Sequence, residues 1–311
     1  MAEIPKLNHP WLVAVWPGMG HVALNAGFYL LAQLDMHVGA ELEDNNLFDI
    51  DHVEVKGGVI RPARRPRNRF FIWQDPKKER DLVVFVGETQ PPLGKYPFCK
   101  QMMAYAKELG VERVFTFAAM ATQMHPTHRC RVFGAATVKE GLDEIHRRKL
   151  ELLEDGNIGG LNGVLLGAAA EADLPGLCLL GEMPHIFHQL PFPKASLAIL
   201  EVFSTIAGID IDFSELSEQA RSSEEQLGQI LAQVEEAYGR QLPSAPESES
   251  FEPPQPEEDK LTSEDRQRIE TLFKQAVQQR SKAFELKREL DRLGVFSEFE
   301  DRFLDLFKKP E

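Results

Sequence analysis

Over residues 1–242 short unbroken apolar runs alternate with stretches of helical periodicity. Leu12–Trp16 (LVAVW) predicts a strand, followed by a helix from about His21 to Leu34. Val53–Val55 predicts a second extended segment that closes at Gly57-Gly58. Leu82–Val86 (LVVFV) is wholly apolar at strand length, the pattern of a strand covered on both faces. A helix from about Pro97 to Leu109 should stop at Gly110 as a left-handed cap, and Val114–Phe117 reads as the next strand. Thr137 and Glu140 stand at capping-box spacing, predicting a helix that runs to about Glu154. Val164–Leu166 and Leu177–Leu180 read as further buried strands with a short Ala-rich helix between them. Helices over Ala195–Ala207 and Ser214–Tyr238 complete the pattern. Such alternation predicts an α/β sheet between helical layers, with right-handed connections between parallel neighbours.

The pattern breaks at residues 243–260, PSAPESESFEPPQPEEDK, which hold five prolines and six acids against one lysine. With almost nothing to bury, this stretch reads as a disordered linker. Beyond it, residues 261–311 become amphipathic again. Ile269, Leu272, Phe273, Ala276, Val277, Phe284 and Leu290 form one stripe, Gly294 punctuates it, and Ser297 with Glu300 sets up a second capping box. Phe299, Phe303, Leu306 and Phe307 then share a face, which predicts a helical hairpin. Two short amphipathic helices hide little alone. They either dock back on the main domain or its symmetry mate, or form a tethered module for another protein.

Charge narrows the choice of partner. The chain has 311 residues with a formal net charge of −14, of which −5 lies in the linker and 0 in residues 261–311, leaving −9 for residues 1–242. An acidic surface repels nucleic acid and anionic lipid, so neither is an expected partner. The most apolar stretch, residues 158–181, is interrupted by Glu171, Asp173 and Pro175 and cannot form a spanning helix. The first residues, MAEIPKLNHPW, lack a basic, then apolar, targeting pattern. Three scattered cysteines, Cys99, Cys130 and Cys178, suit a reducing compartment, so a cytoplasmic protein is expected.

Several motifs suggest chemistry, each with a plainer reading. Gly18-Met19-Gly20-His21-Val22-Ala23, between a strand and a helix, imitates a dinucleotide fingerprint, and Glu41 and Glu43 follow roughly 20 residues on. The glycines serve equally well for a tight strand-to-helix turn, and no cofactor is assigned. Gly87-Glu88-Thr89-Gln90 follows the LVVFV strand, and Glu182 follows Leu177–Leu180. Ligands of open α/β sheets collect beyond such strand ends, so Gly87, Glu88, Gln90 and Glu182 are ligand-binding candidates, joined by His125 if its loop folds over. The two carboxylates would suit acid/base work if the fold brings them together. The alternative is that they tie up loop backbone groups.

His125-x-x-His128-x-Cys130 and His185-x-x-His188 invite a metal reading, but both lie in Pro-containing loops without tetrahedral ligand spacing, and no metal is assigned. Arg61, Arg64, Arg65, Arg67 and Arg69 crowd nine residues with Pro62 and Pro66 between them. Guanidinium forks of this kind recognise phosphates or carboxylates. In so acidic a chain they point to an intramolecular or protein partner, the acidic linker among them. A P-loop, a nucleophile elbow and an H-E-x-x-H helix are all missing from the sequence, and no catalytic residue is assigned.

Taken together, these pieces resemble the proteasome assembly chaperone family, in the branch typified by the second subunit of the chaperone pair and its archaeal and bacterial relatives. The resemblance is carried by Pro17-Gly18-Met19-Gly20, by Asn25-Ala26-Gly27-Phe28-Tyr29-Leu30, by Gly87-Glu88-Thr89-Gln90-Pro91 and by Leu109-Gly110-Val111. Residues 158–163 (IGGLNG) before Val164-Leu165-Leu166, and Leu180-Gly181-Glu182-Met183-Pro184, complete it over about residues 10–240. It implies a three-layer α/β/α sandwich resembling the purine nucleoside phosphorylase-like fold. It also implies self-association into homo-oligomers and binding to another protein, such as a proteasome-like assembly. Members are also labelled carboxylate-amine ligases of the ATP-grasp type, and no residues here carry that chemistry. Relatives that act on proteasome rings can end in a hydrophobic-Tyr-x terminus, whereas this sequence ends Leu306-Phe307-Lys308-Lys309-Pro310-Glu311.

The expectation is therefore a non-catalytic, assembly-chaperone-like α/β domain (1–242), a linker (243–260) and a C-terminal helical hairpin (261–311). The alternative is an enzyme or small-molecule binder that holds a nucleoside- or nucleotide-like ligand at the sheet rim. A third class, nucleic-acid binding through the Arg61–Arg69 loop, would show strongly salt-sensitive retention on a polyanion.

Overall fold

The computed structural model describes residues 6–42, 47–48, 53–239 and 261–308. In chain order the strands are β1 (Trp11–Val15), β2 (His37–Glu41), β3 (Val53–Lys56), β4 (Val59–Pro62), β5 (Asn68–Trp73), β6 (Leu82–Gly87), β7 (Arg113–Thr122), β8 (Val132–Ala136), β9 (Glu151–Leu152) and β10 (Gly176–Pro184). The helices are α1 (Val22–Gln33), α2 (Lys95–Glu108), α3 (Lys139–Arg147), α4 (Gly160–Glu171), α5 (Pro193–Ala207), α6 (Ser214–Gly239), α7 (Ser263–Gln278), α8 (Lys282–Arg292) and α9 (Phe296–Asp305). Among the described residues eight strands form one sheet in the order β2-β5-β6-β1-β7-β10-β8-β9, and β3 and β4 form a separate hairpin. The four central strands β6, β1, β7 and β10 are mutually parallel, β5 runs antiparallel to both β2 and β6, and β8 runs antiparallel to β10 but parallel to β9.

Alternation along the central strands sorts the core into two layers. Val13, Val15, Phe115, Leu177 and Leu179 face one apolar cluster with α1 and α5. Leu12, Ala14, Val83, Phe85 and Cys178 face the other, under α2 and α4. Both faces being covered explains why these strands read as unbroken apolar runs. The fold is thus the expected α/β sandwich.

Three local expectations are corrected. Val164–Leu166 lies inside α4, not in a strand. A short apolar run carries no periodicity that separates a buried strand from a buried helix, and here the leucines sit in an Ala-rich segment of high helix propensity. Thr137 does not cap α3. Its Oγ1 accepts from the Gly176 backbone N–H at 2.7 Å, the N-cap is Val138, and the helix ends at Arg147, before β9. Ser297 lies within α9, which has no side-chain cap, whereas Thr262 and Asp265 form a capping box at the start of α7.

From residue 261 the tail comprises three helices rather than the expected two-helix hairpin, and its apolar residues, apart from the exposed Val277, largely belong to or pack against the same core cluster as α1. The reason lies in α1, where ten of twelve residues are buried, so a cover is needed on the side that the sheet and α5 leave. The tail provides it. Phe284 meets Tyr29 edge-on at 4.7 Å, while Phe296 and Phe303 each meet Phe28 at 5.5 Å. Lys287 is 3% exposed and donates to Asn25 Oδ1 and Asp291. At the sheet edge the Val38 N–H donates to the Phe307 carbonyl at 2.8 Å. Residues 243–260 lie outside the described residues.

Candidate functional site

The parallel strands end at one rim, which brings together the turn after β1, Gly87-Glu88 after β6, Thr122 at the end of β7 and Glu182 in β10. Glu88 and Glu182 stand on strands three steps apart, about 14 Å at the usual strand spacing. Paired carboxylates that act on one bond sit within roughly 5–10 Å. Each acid also has its own partner. Glu182 is 2% exposed and accepts from Arg131 Nε (2.9 Å), Arg131 Nη2 (2.6 Å) and Thr122 Oγ1 (2.8 Å). The Arg131 guanidinium holds its carboxyl below the usual range. Arg131 was not singled out from sequence. It is there because β8 pairs antiparallel with β10, which sets Val132 opposite Gly181.

Glu88 anchors a second network. Its Oε2 accepts from the Arg67 backbone N–H at 2.8 Å and from Arg64 Nη1 at 2.9 Å. Burial outweighs the arginines and raises its pKa. The tail supplies the remaining acids. Asp301 of α9 takes Arg64 Nε (3.0 Å), Arg67 Nη1 (3.3 Å) and Arg69 Nη2 (3.0 Å), and Glu41 takes Arg67 Nε at 2.7 Å. Arg69 is 1% exposed. The neighbouring Glu300 is pushed up to about 7, first by burial and then by the charge of Glu88. Three of the five clustered arginines are therefore spent on Glu41, Glu88 and Asp301. Arg61 lies exposed on the β3–β4 hairpin and Arg65 is exposed beyond it.

The Gly18–Ala23 motif forms a turn whose backbone is committed. Gly20 and His21 are both left-handed, at φ +61° and +51°, and a Cβ on Gly20 would stand 2.8 Å from the Met183 side chain. The Gly20 N–H donates to the His188 carbonyl, and its own carbonyl accepts from Phe192 N–H, both at 2.9 Å. Those groups are not presented to a pyrophosphate. Glu41 serves Arg67, and Glu43 lies outside the described residues. At Gly87 a Cβ would stand 2.4 Å from Trp16 Nε1, so packing alone demands glycine there.

Beside these networks opens a cleft of about 610 Å³, lined by Pro17, Met19, Gln90, Met120, Ile158 and Asn162 among others. Gln90 is the one sequence candidate on its wall, and its amide is a brace. Nε2 donates to the Pro17 carbonyl at 3.2 Å, and Oε1 accepts from Leu161 N–H at 3.1 Å. Among the described lining residues only Asp155 is ionisable. His125 lies away from this wall, with Nδ1 2.7 Å from Thr127 Oγ1 and its ring 5.5 Å from that of His128. No group of three or more metal-ligating side chains occurs among the described residues. The three cysteines are free, and burial pushes each thiol up to about 12, far from thiolate reactivity. No helix among the described residues is long and apolar enough to cross a membrane.

A sequence model of the PAC2 family matches residues 12–231 and so leaves the three tail helices outside the match. An uncharacterised protein of Methanocaldococcus jannaschii is 28% identical over 233 residues, 73% of this chain and 85% of that one. The crystal structure of Pyrococcus furiosus PbaB, an archaeal proteasome activator, aligns with a TM-score of 0.62 at 27% identity, covering 75% of this chain and 96% of that one. Pyrococcus furiosus PbaA, an archaeal homolog of proteasome-assembly chaperone, aligns with a TM-score of 0.58 at 25% identity over 76% of this chain and 93% of its own.

Proposed function

Because the chain belongs to the PAC2 family, we propose that it binds other proteins as an assembly-chaperone-like factor, forms homo-oligomers and performs no catalysis. The observation that carries this reading is the chemistry of the rim. Its two buried acids are each locked in arginine pairs on strands about 14 Å apart, and its cleft holds one ionisable side chain among the described residues. Acid/base or nucleophilic catalysis needs its reacting groups within reach of one substrate atom, and an arrangement that holds them apart and paired favours recognition instead. The kinship with a proteasome activator and a homolog of a proteasome-assembly chaperone points to a large protein assembly as the partner. Three free cysteines suit work in a reducing cytoplasm and support that reading of its location.

Sedimentation of the purified chain, followed by capture of partners from native extract of the source organism, tests the reading. A concentration-dependent oligomer and a stoichiometric protein partner are expected. A strict monomer that retains no partner under any condition overturns it.

A second reading rests on the rim cleft, whose 610 Å³ falls within the range of small-ligand sites. A nucleoside- or nucleotide-like ligand there would give a saturable thermal shift that Ala121→Phe, on the cleft wall, abolishes. No shift across a nucleoside and nucleotide panel removes it.

A further inference from the structure

A second cleft, of about 590 Å³, lies at the opposite edge of the sheet from the tail, between the end of α3, β9 and α5. Five cations line it: Arg129, Arg131, Arg148, Lys149 and Lys194. On a chain of net charge −14 this is a local concentration of cations, balanced in number by Glu151 and Glu201 in the lining and by Glu144, Glu182 and Glu224 behind it. Three of the five are held from behind by groups outside the lining. Arg131 pairs with Glu182 at 2.6 Å, Arg148 with Glu144 at 3.4 Å and Lys194 with Glu224 at 2.8 Å. Arg129 and Lys149 are exposed and have no carboxylate partner among the described residues. Between the cations the wall is aliphatic, with Val132, Leu150, Leu197 and Val202. The acids Glu151 and Glu201 also line it and limit how much negative charge it accepts.

We infer that this cleft docks a short segment of a partner protein in which acidic residues flank an aliphatic one. The inference deepens the protein-binding reading above and rests on it. An aliphatic wall needs an aliphatic side chain, and two unpaired cations at its mouth need carboxylates. A long polyanion would have to leave the cleft across an acidic surface that repels it, which disfavours nucleic acid. A bare phosphate would leave the aliphatic wall uncovered. β9 is an edge strand with no strand on its outer side among the described residues, which suits an extended peptide lying alongside.

The test uses the full chain and fluorescence anisotropy. The probe is a labelled hexapeptide of sequence Glu-Asp-Leu-Glu-Ile-Asp, compared with its Gln/Asn counterpart, inorganic pyrophosphate and a single-stranded oligonucleotide. Saturable binding of the acidic peptide alone is expected, weakened by salt and by more than about tenfold in Arg129→Glu and in Lys149→Glu. Both positions are exposed, and circular dichroism verifies that each variant keeps its fold. Equal binding of the amide counterpart, full displacement by pyrophosphate, or tighter binding of the oligonucleotide each overturns the proposal. So does an oligomer that either variant dissolves, because the cleft would then be a self-contact. If the variants keep self-association and partner capture intact while the peptide fails to bind, the cleft assignment falls and the protein-binding reading stands.

Discussion

Replacing Glu300 by Gln should stabilise the protein above neutral pH and remove much of its pH dependence. The carboxyl sits where α9 meets the rim, and its pKa is raised from 4.5 to about 7. Burial is the main cause. Glu88 and Asp301 add repulsion, and Arg64 and Arg69 oppose it only in part. Because the folded value lies above the unfolded one, the penalty is absent below about pH 4.5, grows as pH rises, and is complete above about pH 7. At about 1.4 kcal/mol per unit the cost of keeping Glu300 charged comes to about 3–4 kcal/mol. Gln keeps the volume and polarity without the charge. Urea unfolding at about pH 8 and about pH 6 should show the parent gaining stability at the lower pH and the variant staying nearly level. The variant should exceed the parent at about pH 8 by a sizeable part of that cost of about 3–4 kcal/mol. A variant less stable than the parent at both values, or one with the parent's slope intact, would refute the electrostatic account of this contact.

Asp301→Asn should cost about 1–3 kcal/mol by urea unfolding, since it strips charge compensation from Arg69, which is 1% exposed. A change under about 0.5 kcal/mol would mean the network contributes little. Gly87→Ala should lower the thermal midpoint through collision with Trp16 Nε1, at a cost of about 1–3 kcal/mol, and an unchanged midpoint would show that the indole moves freely. Limited proteolysis should cut first within residues 243–260, where Pro, Ser and Glu offer no apolar anchor. Early cuts between residues 82 and 180 would contradict the division of the chain.

The arginine cluster and the tail explain each other. The family match ends at residue 231, and the tail beyond it covers α1 and sets Asp301 among Arg64, Arg67 and Arg69. Phe303 and Phe307 are fully buried in that contact, and side chains of this size contribute about 1.5–3 kcal/mol each. The apolar core therefore dominates docking, and the ion pairs set its register and its response to pH.

What the sequence determined by itself is the class of fold and the main buried strands. LVAVW and LVVFV are apolar without interruption because both faces of the central sheet are covered, and that requirement is written locally. The glycine stop after α2 was equally legible, with Gly110 at φ +74°. Tertiary structure alone decided whether Val164–Leu166 became strand or helix, because three apolar residues lack a period. It also decided that two strands separate those bearing Glu88 and Glu182, and that Arg67 and Arg69 meet Asp301 more than 200 residues away. Local sequence encodes which face of an element must be covered. The identity of the cover comes from strand order and docking, which depend on contacts between residues far apart in the chain.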